Sequence, residues 1–455
     1  YVPGTTAGDF DSKFTSSDVS VGKDVTANLE YDGTSHAIFR GKITSITPFR
    51  FNGEQRATLF CTDEMEVWVT KSVTLQNNTA GTTGGASSTG DYPLQGWAAG
   101  TSTGLIAKIL DASSFSAARA LSENGASTFE WWWVYKTPIK EAFNDIEKHE
   151  RGSIFMSSSG DVTFLSSTHY TGLAVSATFG PSTSVFTRMD YSMSSKDIIN
   201  RVRATVHDRF PNESSTSAES FILGSIPVPA LPDVPFNIAL SQGSAIDLEV
   251  PFDKPPVLNV ITPQCLKDST SGISVIGAGG TSYVSAGSDI NITGLVKGAS
   301  SILLNIDNQS GETVTFAQPE TAEDSHTSFI ILGSNSVNNI SISTSIAPAS
   351  ITLYGDREFN VDYPFFGIAS KGRLVADDII KDNSTARPNG IRIHMVGSDS
   401  NLVVQILSRE VGDRIIVNST FYHLKSGQEF YLTGLEGEIT AGGPIQTVWT
   451  LQKST

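Results

Sequence analysis

Residues 149–170 read HERGSIFMSSSGDVTFLSSTHY. The apolar run Ile154, Phe155, Met156 meets a turn at Ser157, Ser158, Ser159, Gly160, and a second alternation, Val162, Thr163, Phe164, follows at once. β-formers on both sides of a short polar turn spell a β-hairpin, with Gly160 where a positive φ is tolerated. Immediately upstream, TPIKEAFNDIEKHERG (137–152) has the marks of a helix: Thr137 can cap, Pro138 takes the first helical position, and Gly152 offers a stop after Lys148 and His149. Ile139, Ala142, Phe143 and Ile146 fall at i, i+3, i+4 and i+7, so the helix buries one stripe against a sheet. The hairpin is that sheet's nearest source. A helix running straight into a hairpin makes this an α+β unit, and the chain on either side decides its purpose.

Upstream, residues 1–76 are strand and turn: SHAIFRGKITSITPF alternates, and RATLFCTDEMEVWV supplies its partners. Residues 77–104 lose all periodicity and read as a Gly/Ser/Thr-rich loop. A helix follows in TGLIAKILDASSFSAARALSENG, where Leu105, Ile106, Ile109 and Leu110 share a face. Downstream, a third helix is expected at SMSSKDIIN and a strand at RVRATVH; prolines then accumulate across 211–256, the mark of an extended connector. Residues 257–356 hold short β-like runs between Gly, Ser and Asn, the pattern of a β-sandwich. The last hundred or so residues mix a helix, SKGRLVADDIIKD, with expected strands at NLVVQIL, DRIIVNST, QEFYLTGLEGEIT and QTVWTLQ.

Composition bounds the function. A chain of 455 residues exceeds one core, and 17% charged residues with 40 Gly and 19 Pro describe a folded, turn-rich, β-leaning protein. A formal charge of −16 sets the surface as a whole against nucleic acid and anionic membrane. No apolar run approaches the ~18 residues a bilayer span needs, so no membrane anchor is expected. Cys61 and Cys265, far apart, are read as buried structural thiols. The histidines, His36, His149, His169, His207, His326, His394 and His423, show no metal-ligand spacing. VIGAGG (275–280) lacks a following helical period and reads as a turn in a β domain rather than a dinucleotide loop. His207 with Asp208 and Asp377 with Asp378 are read as a strand end and a solvated helix face, and no nucleophile elbow or paired acids stand out. No enzyme activity, metal or cofactor is therefore expected. Trp131, Trp132 and Trp133 cannot all face one side of a strand; core packing on both sides of a buried strand is the default, and a subunit interface the alternative.

FRGKITSI…RATLFCTD near the start and TGLEGEIT…IQTVWTLQ near the end share a layout, a Gly two residues before an Ile-Thr step and then a closing alternating strand. The order of these pieces, with HERGSIFMSSSGDVTF, NRVRATV and REVGDRIIVN between them, resembles phage tail hub proteins of the baseplate or tail tip. That resemblance implies a mainly β, multidomain chain with α+β parts. Two related β-barrel-like tube domains would lie at 1–76 and at 186–210 with 357–455. A small α+β domain would occupy 105–185, with 211–256 as connector and 257–356 as an inserted β-sandwich. It further implies a homotrimer in the virion tail, assembled in the host cytoplasm. Its partners would be tube or distal tail proteins and tip or fibre proteins, with DNA passing unbound. Phe39, Gly41 and Gly437, with Trp131, Trp132 and Trp133, are the expected interface residues. The alternative is a host-surface or glycan-binding module acting through the sandwich.

Overall fold

The computed structural model describes residues 19–52, 54–75, 97–100, 103–115, 118–129, 132–169, 173–180, 186–211, 221–225, 238–252, 257–261, 275–277, 282–283, 290–297, 300–309, 313–316, 330–386, 388–397, 400–418, 428–439 and 444–453. The chain is mainly β, and one of its sheets curls into a half-barrel.

Strands β1 (Asp24–Tyr31), β2 (Thr34–Phe51) and β3 (Glu54–Thr62) form an antiparallel sheet in that order. Asp32 and Gly33 turn the first corner with φ of 50° and 72°, the backbone a two-residue hairpin loop requires. EMEVWV, expected to continue β3, is instead helix α1 (Met65–Thr70). Asp63 Oδ1 accepts the Met65 N–H at 3.0 Å, an N-terminal cap that ends the strand, and Trp68 turns into the core.

β4 (Ser72–Leu75) pairs antiparallel with β5 (Val134–Pro138). Helices α2 (Leu105–Ala112) and α3 (Ile139–Glu150) and the hairpin of β6 (Ser153–Met156) and β7 (Val162–Leu165) close one core with them. Trp68, Ile106, Phe143, Ile146, Ile154 and Phe164 belong to it, Trp68 meeting Phe143 edge-on at 4.9 Å between centroids. The hairpin is as the sequence predicts: Met156 lies opposite Val162 and Gly160 has φ +84°. The helix ends differ. Thr137 makes no cap, Pro138 is extended at the cap position, and the stop falls at Arg151, left-handed at φ 52°, one residue before Gly152.

After β8 (Ala177–Phe179) and β9 (Arg188–Met193), the expected third helix shrinks to one 3-10 turn, Ser195–Asp197. The Ser194 hydroxyl accepts the Lys196 N–H at 3.0 Å, so serine here caps rather than propagates. β10 (Arg201–Pro211) follows. β11 (Ala245–Pro251), β12 (Ile290–Lys297) and β13 (Ser301–Asn308) form an antiparallel sheet with β13 central. β14 (Ile330–Ile346) then runs back along β10, Ile346 opposite Arg201 and Ser336 opposite Pro211. Past α4 (Pro348–Tyr354), β15 (Glu358–Tyr363) lies parallel to β10 on its other side. These pairings cross the N-terminal limit of the interval 257–356 twice: β11 lies before it yet pairs with β13, and β10 lies before it yet pairs with β14.

α5 (Ala369–Asn383) covers one face of the β10 sheet, with Val375, Ala376, Ile379 and Ile380 against Val202, Ala204 and Val206. β16 (Pro388–Val396), α6 (Ser400–Ser408), β17 (Arg414–Val417), β18 (Gln428–Ile439) and β19 (Ile445–Lys453) complete the chain. The six-stranded sheet runs β8-β17-β18-β19-β16-β9. NLVVQIL, expected as a strand, is α6, which buries Leu402, Val403 and Ile406. A short apolar run looks alike in either state, and the i, i+1, i+4 burial decides for helix.

Candidate functional site

Three consecutive residues at the end of α3 each hold a different part of the chain. His149 is 1% exposed; its Nδ1 lies 2.6 Å from Asp145 O and donates to it, which leaves Nε2 to accept the Phe365 N–H at 3.3 Å. Phe129, Tyr363, Phe365 and Phe366 surround the ring at centroid distances of 5.4, 5.2, 5.3 and 4.9 Å. Burial among them disfavours the imidazolium and lowers the pKa to about 4. Glu150, 2% exposed, accepts the backbone N–H of Ala126 at 2.6 Å and of Ser127 at 3.1 Å. Burial raises its carboxyl to about 7, against the pull of those two donors. Arg151 pairs with Asp382 and, at 3.5 Å, with Asp378, both on α5. The HER triplet therefore ties the hairpin unit to the β15–α5 segment and to the loop before Phe129.

Beyond the hairpin, a cleft of about 620 Å³ opens between residues 35–40 of β2, the turn at 157–159, the segment 408–411 after α6, and the end of β18. The turn touches both flanks. A Cβ at Gly160 would lie 2.7 Å from Arg40 Cδ, and Ser158 Oγ donates to Glu410 Oε1 at 2.8 Å. The hairpin thus spans from the first sheet to the segment that leads into the last.

The cleft brings together two of the residues singled out from the sequence, Phe39 and Gly437. Gly41 is buried instead: a Cβ there would lie 2.1 Å from Thr62 O, so this glycine serves the close approach of β2 and β3. Trp132 is 0% exposed, in the core beside Phe365, and is not a surface residue of the chain; it takes the core-packing default. Trp133 is half-buried, edge-on to Phe365 at 5.3 Å, and Trp131 lies outside the described residues. The clamp at 149–151 escaped sequence reading, although a signal was present. His149 and Glu150 continue the spacing of Ile139, Ala142, Phe143 and Ile146 and so extend the buried stripe.

The remaining polar candidates connect elements. His207 Nε2 meets Asp362 Oδ1 at 2.7 Å across the β10 sheet, and His394 meets Asp190 at 3.1 Å. His169 bonds Glu123, whose other oxygen accepts the Ser166 N–H at 2.7 Å. Asp377 accepts from Ser345 at 2.6 Å, and Asp378 faces Arg151. VIGAGG begins as the strand Val275–Gly277, paired with Ser282–Tyr283. Cys61 is a half-buried free thiol rather than a fully buried one; Cys265, His326 and His423 lie outside the described residues. Among the described residues no group of three or more His, Cys, Asp or Glu is placed to hold a metal ion, and no helix is long and apolar enough to cross a membrane.

The geometry describes a braced, β-rich chain whose polar groups join its parts. No known protein family matches the chain, and no curated protein matches its sequence. Among solved structures, it is similar to the tail protein from Neisseria meningitidis MC58, at 10% identity over 94% of this chain and 82% of that one, with a TM-score of 0.44. It is also similar to the 43 kDa tail protein of prophage MuSo2 from Shewanella oneidensis, at 7% identity over 94% and 81%, TM-score 0.42. A third is the prophage tail protein gp18 from Listeria monocytogenes EGD-e, at 6% identity over 95% and 83%, TM-score 0.38. Likenesses this loose establish neither a shared fold nor a shared role.

Proposed function

We propose that this chain is a structural component of a phage-type tail, a trimeric hub that joins a sixfold tube to a threefold tip and encloses part of the DNA path. One observation carries the reading. The two segments that echo each other around Gly41 and Gly437 are both long antiparallel hairpins, β2–β3 and β18–β19. Each has a register shift, two residues after Gly41 in one and five residues before Gly437 in the other. The helix–hairpin unit stands against Arg40 of β2 and against Glu410, in the segment that leads from α6 to β17. Two like hairpins in one chain supply the repeated unit that three copies need to meet a sixfold partner.

In this reading residues 1–76 form one tube-type unit, and 186–210 with 357–455 form the other. The unit at 105–185 braces them; the inserted β-rich part, expected at 257–356, becomes the interval between β10 and β14, with β14 counted beside β10 in the second unit. The motif order of the sequence supports the same assignment. A net charge of −16 suits a conduit, because Lys or Arg contacts to phosphate would add a salt-dependent grip. The role is architectural and needs no cofactor. Class averages of the purified chain in negative stain test it: threefold rings with a central channel are expected, and single-copy particles would defeat the hub.

A further inference from the structure

Among the described residues, the sheet built on β10 ends in two open edges. Over residues 336–346, β14 pairs with β10 on one side and, among the described residues, with no strand on the other. Its pairings with Phe221–Ser225 and Val257–Ile261 stop at residue 335. On the opposite flank β15 pairs, among the described residues, with β10 alone. The open stretch of β14 reads SVNNISISTSI, without a charge or a proline, and runs beside β10 without a bulge. Ile340, Ile342 and Ile346 are 58, 63 and 49% exposed. Their even spacing puts them on the face away from α5, because Val202, Ala204 and Val206 meet α5 and pair with Ser345, Ser343 and Ser341. Soluble proteins blunt long edges with lysine, proline, bulges or short strands, and this one has none of these.

Charge favours a second copy of this chain as the occupant. A net −16 opposes self-association in general, yet the carboxylates near this sheet's acidic edge are ion-paired or hydrogen-bonded within the sheet. Asp356 pairs with Arg201 at 2.9 Å, Glu358 with Arg203 at 3.3 Å and Asp362 with His207 at 2.7 Å. An uncharged edge and one whose carboxylates are already engaged can approach where the rest of the surface repels. β15 adds Phe359, 40% exposed, to its own edge.

We infer that the open edge of β14 in one copy pairs with the β15 edge of the next, head to tail. β14 is antiparallel and β15 parallel to β10, so copies arranged around an axis would join through an antiparallel ladder. Each copy offers one edge of each kind, which makes the contact heterologous and lets it close a ring. The inference rests on the trimer reading above and names the surface that builds the trimer. Ile342→Lys charges the β14 edge at an exposed side chain, and Asn360→Lys independently charges the β15 edge. Masses of the wild-type chain and both variants are measured by light scattering, with circular dichroism and urea unfolding as controls for folding. The expected result is a wild-type trimer and two monomeric variants with wild-type spectra and urea midpoints. A wild-type trimer that both variants retain refutes the edge contact and leaves the hub standing. A wild-type monomer or symmetric dimer removes the hub reading, and this inference with it.

Discussion

Gly41 and Gly437 occupy matching places in the two echoing segments, yet they answer to different constraints. At Gly41 a side chain would strike the Thr62 carbonyl, with a Cβ at 2.1 Å; at Gly437 the nearest atom, Gln446 O, is 3.5 Å away. Gly41→Val should therefore destabilise the folded chain by about 3 kcal/mol or more in urea unfolding, since backbone cannot step aside. Gly437→Val should stay within about 0.5 kcal/mol of wild type and instead weaken assembly, read as a fall in particle mass. A second expectation concerns the clamp. His149 titrates at about 4 when folded against 6.5 ordinarily, so its contribution falls as pH drops from 6.5 through 4. Glu150, at about 7 against 4.5, has the opposite sign: the folded chain holds a proton that the unfolded one releases, and stability falls as pH rises from 4.5 through 7. Each effect is on the order of 3 kcal/mol at full extent. Glu150→Gln should flatten the loss of stability between about pH 5 and about pH 8, and an unchanged slope would show that Glu150 does not titrate in this range. The buried stripe of α3 was legible from its spacing. The use of His149 and Glu150 was not, because their partners, Phe365 and residues 126–127, are set by tertiary packing.

Among the elements, those with a strong local signal came through from the sequence: α2, α3, the hairpin of β6 and β7, β10, α5 and the closing strands. Two elements that differ from expectation share a cause. α1 and α6 are short and apolar enough to pass as strands, and burial rather than period decides them. β14 lies far from β10 in sequence, so its pairing could not be read from local pattern. That pairing changes what a deletion should do. Pro211 lies opposite Ser336, so replacing 212–335 with an Asn-Gly turn should preserve the β10–β14 ladder and give a soluble, trimeric chain. Removing 257–356 takes out β14 itself and should leave Val202, Ala204 and Val206 on a broken sheet, seen as insoluble protein. Arg151→Ala tests the tie to α5. It should cost about 1–2 kcal/mol in urea unfolding, as loss of a partly buried ion pair does, and leave the hairpin intact.

For the whole molecule, the hub reading demands that one chain present two equivalent units to a sixfold neighbour. Three copies would then place six hairpins around one axis, β2–β3 alternating with β18–β19. The surface between them would be acidic or neutral towards the channel, as the net charge of −16 allows. Binding of duplex DNA by the assembled ring should accordingly be negligible at about 50 mM salt, where phosphate contacts are strongest, and retention there would contradict a passive conduit. The most direct measurement is an electron cryomicroscopy reconstruction of the purified assembly at a resolution that separates strands. The expected map is a threefold ring in which β2–β3 and β18–β19 lie at one radius, superpose on each other, and alternate about 60° apart. A ring that holds the two hairpins at different radii or in unrelated orientations would contradict the pseudo-sixfold design.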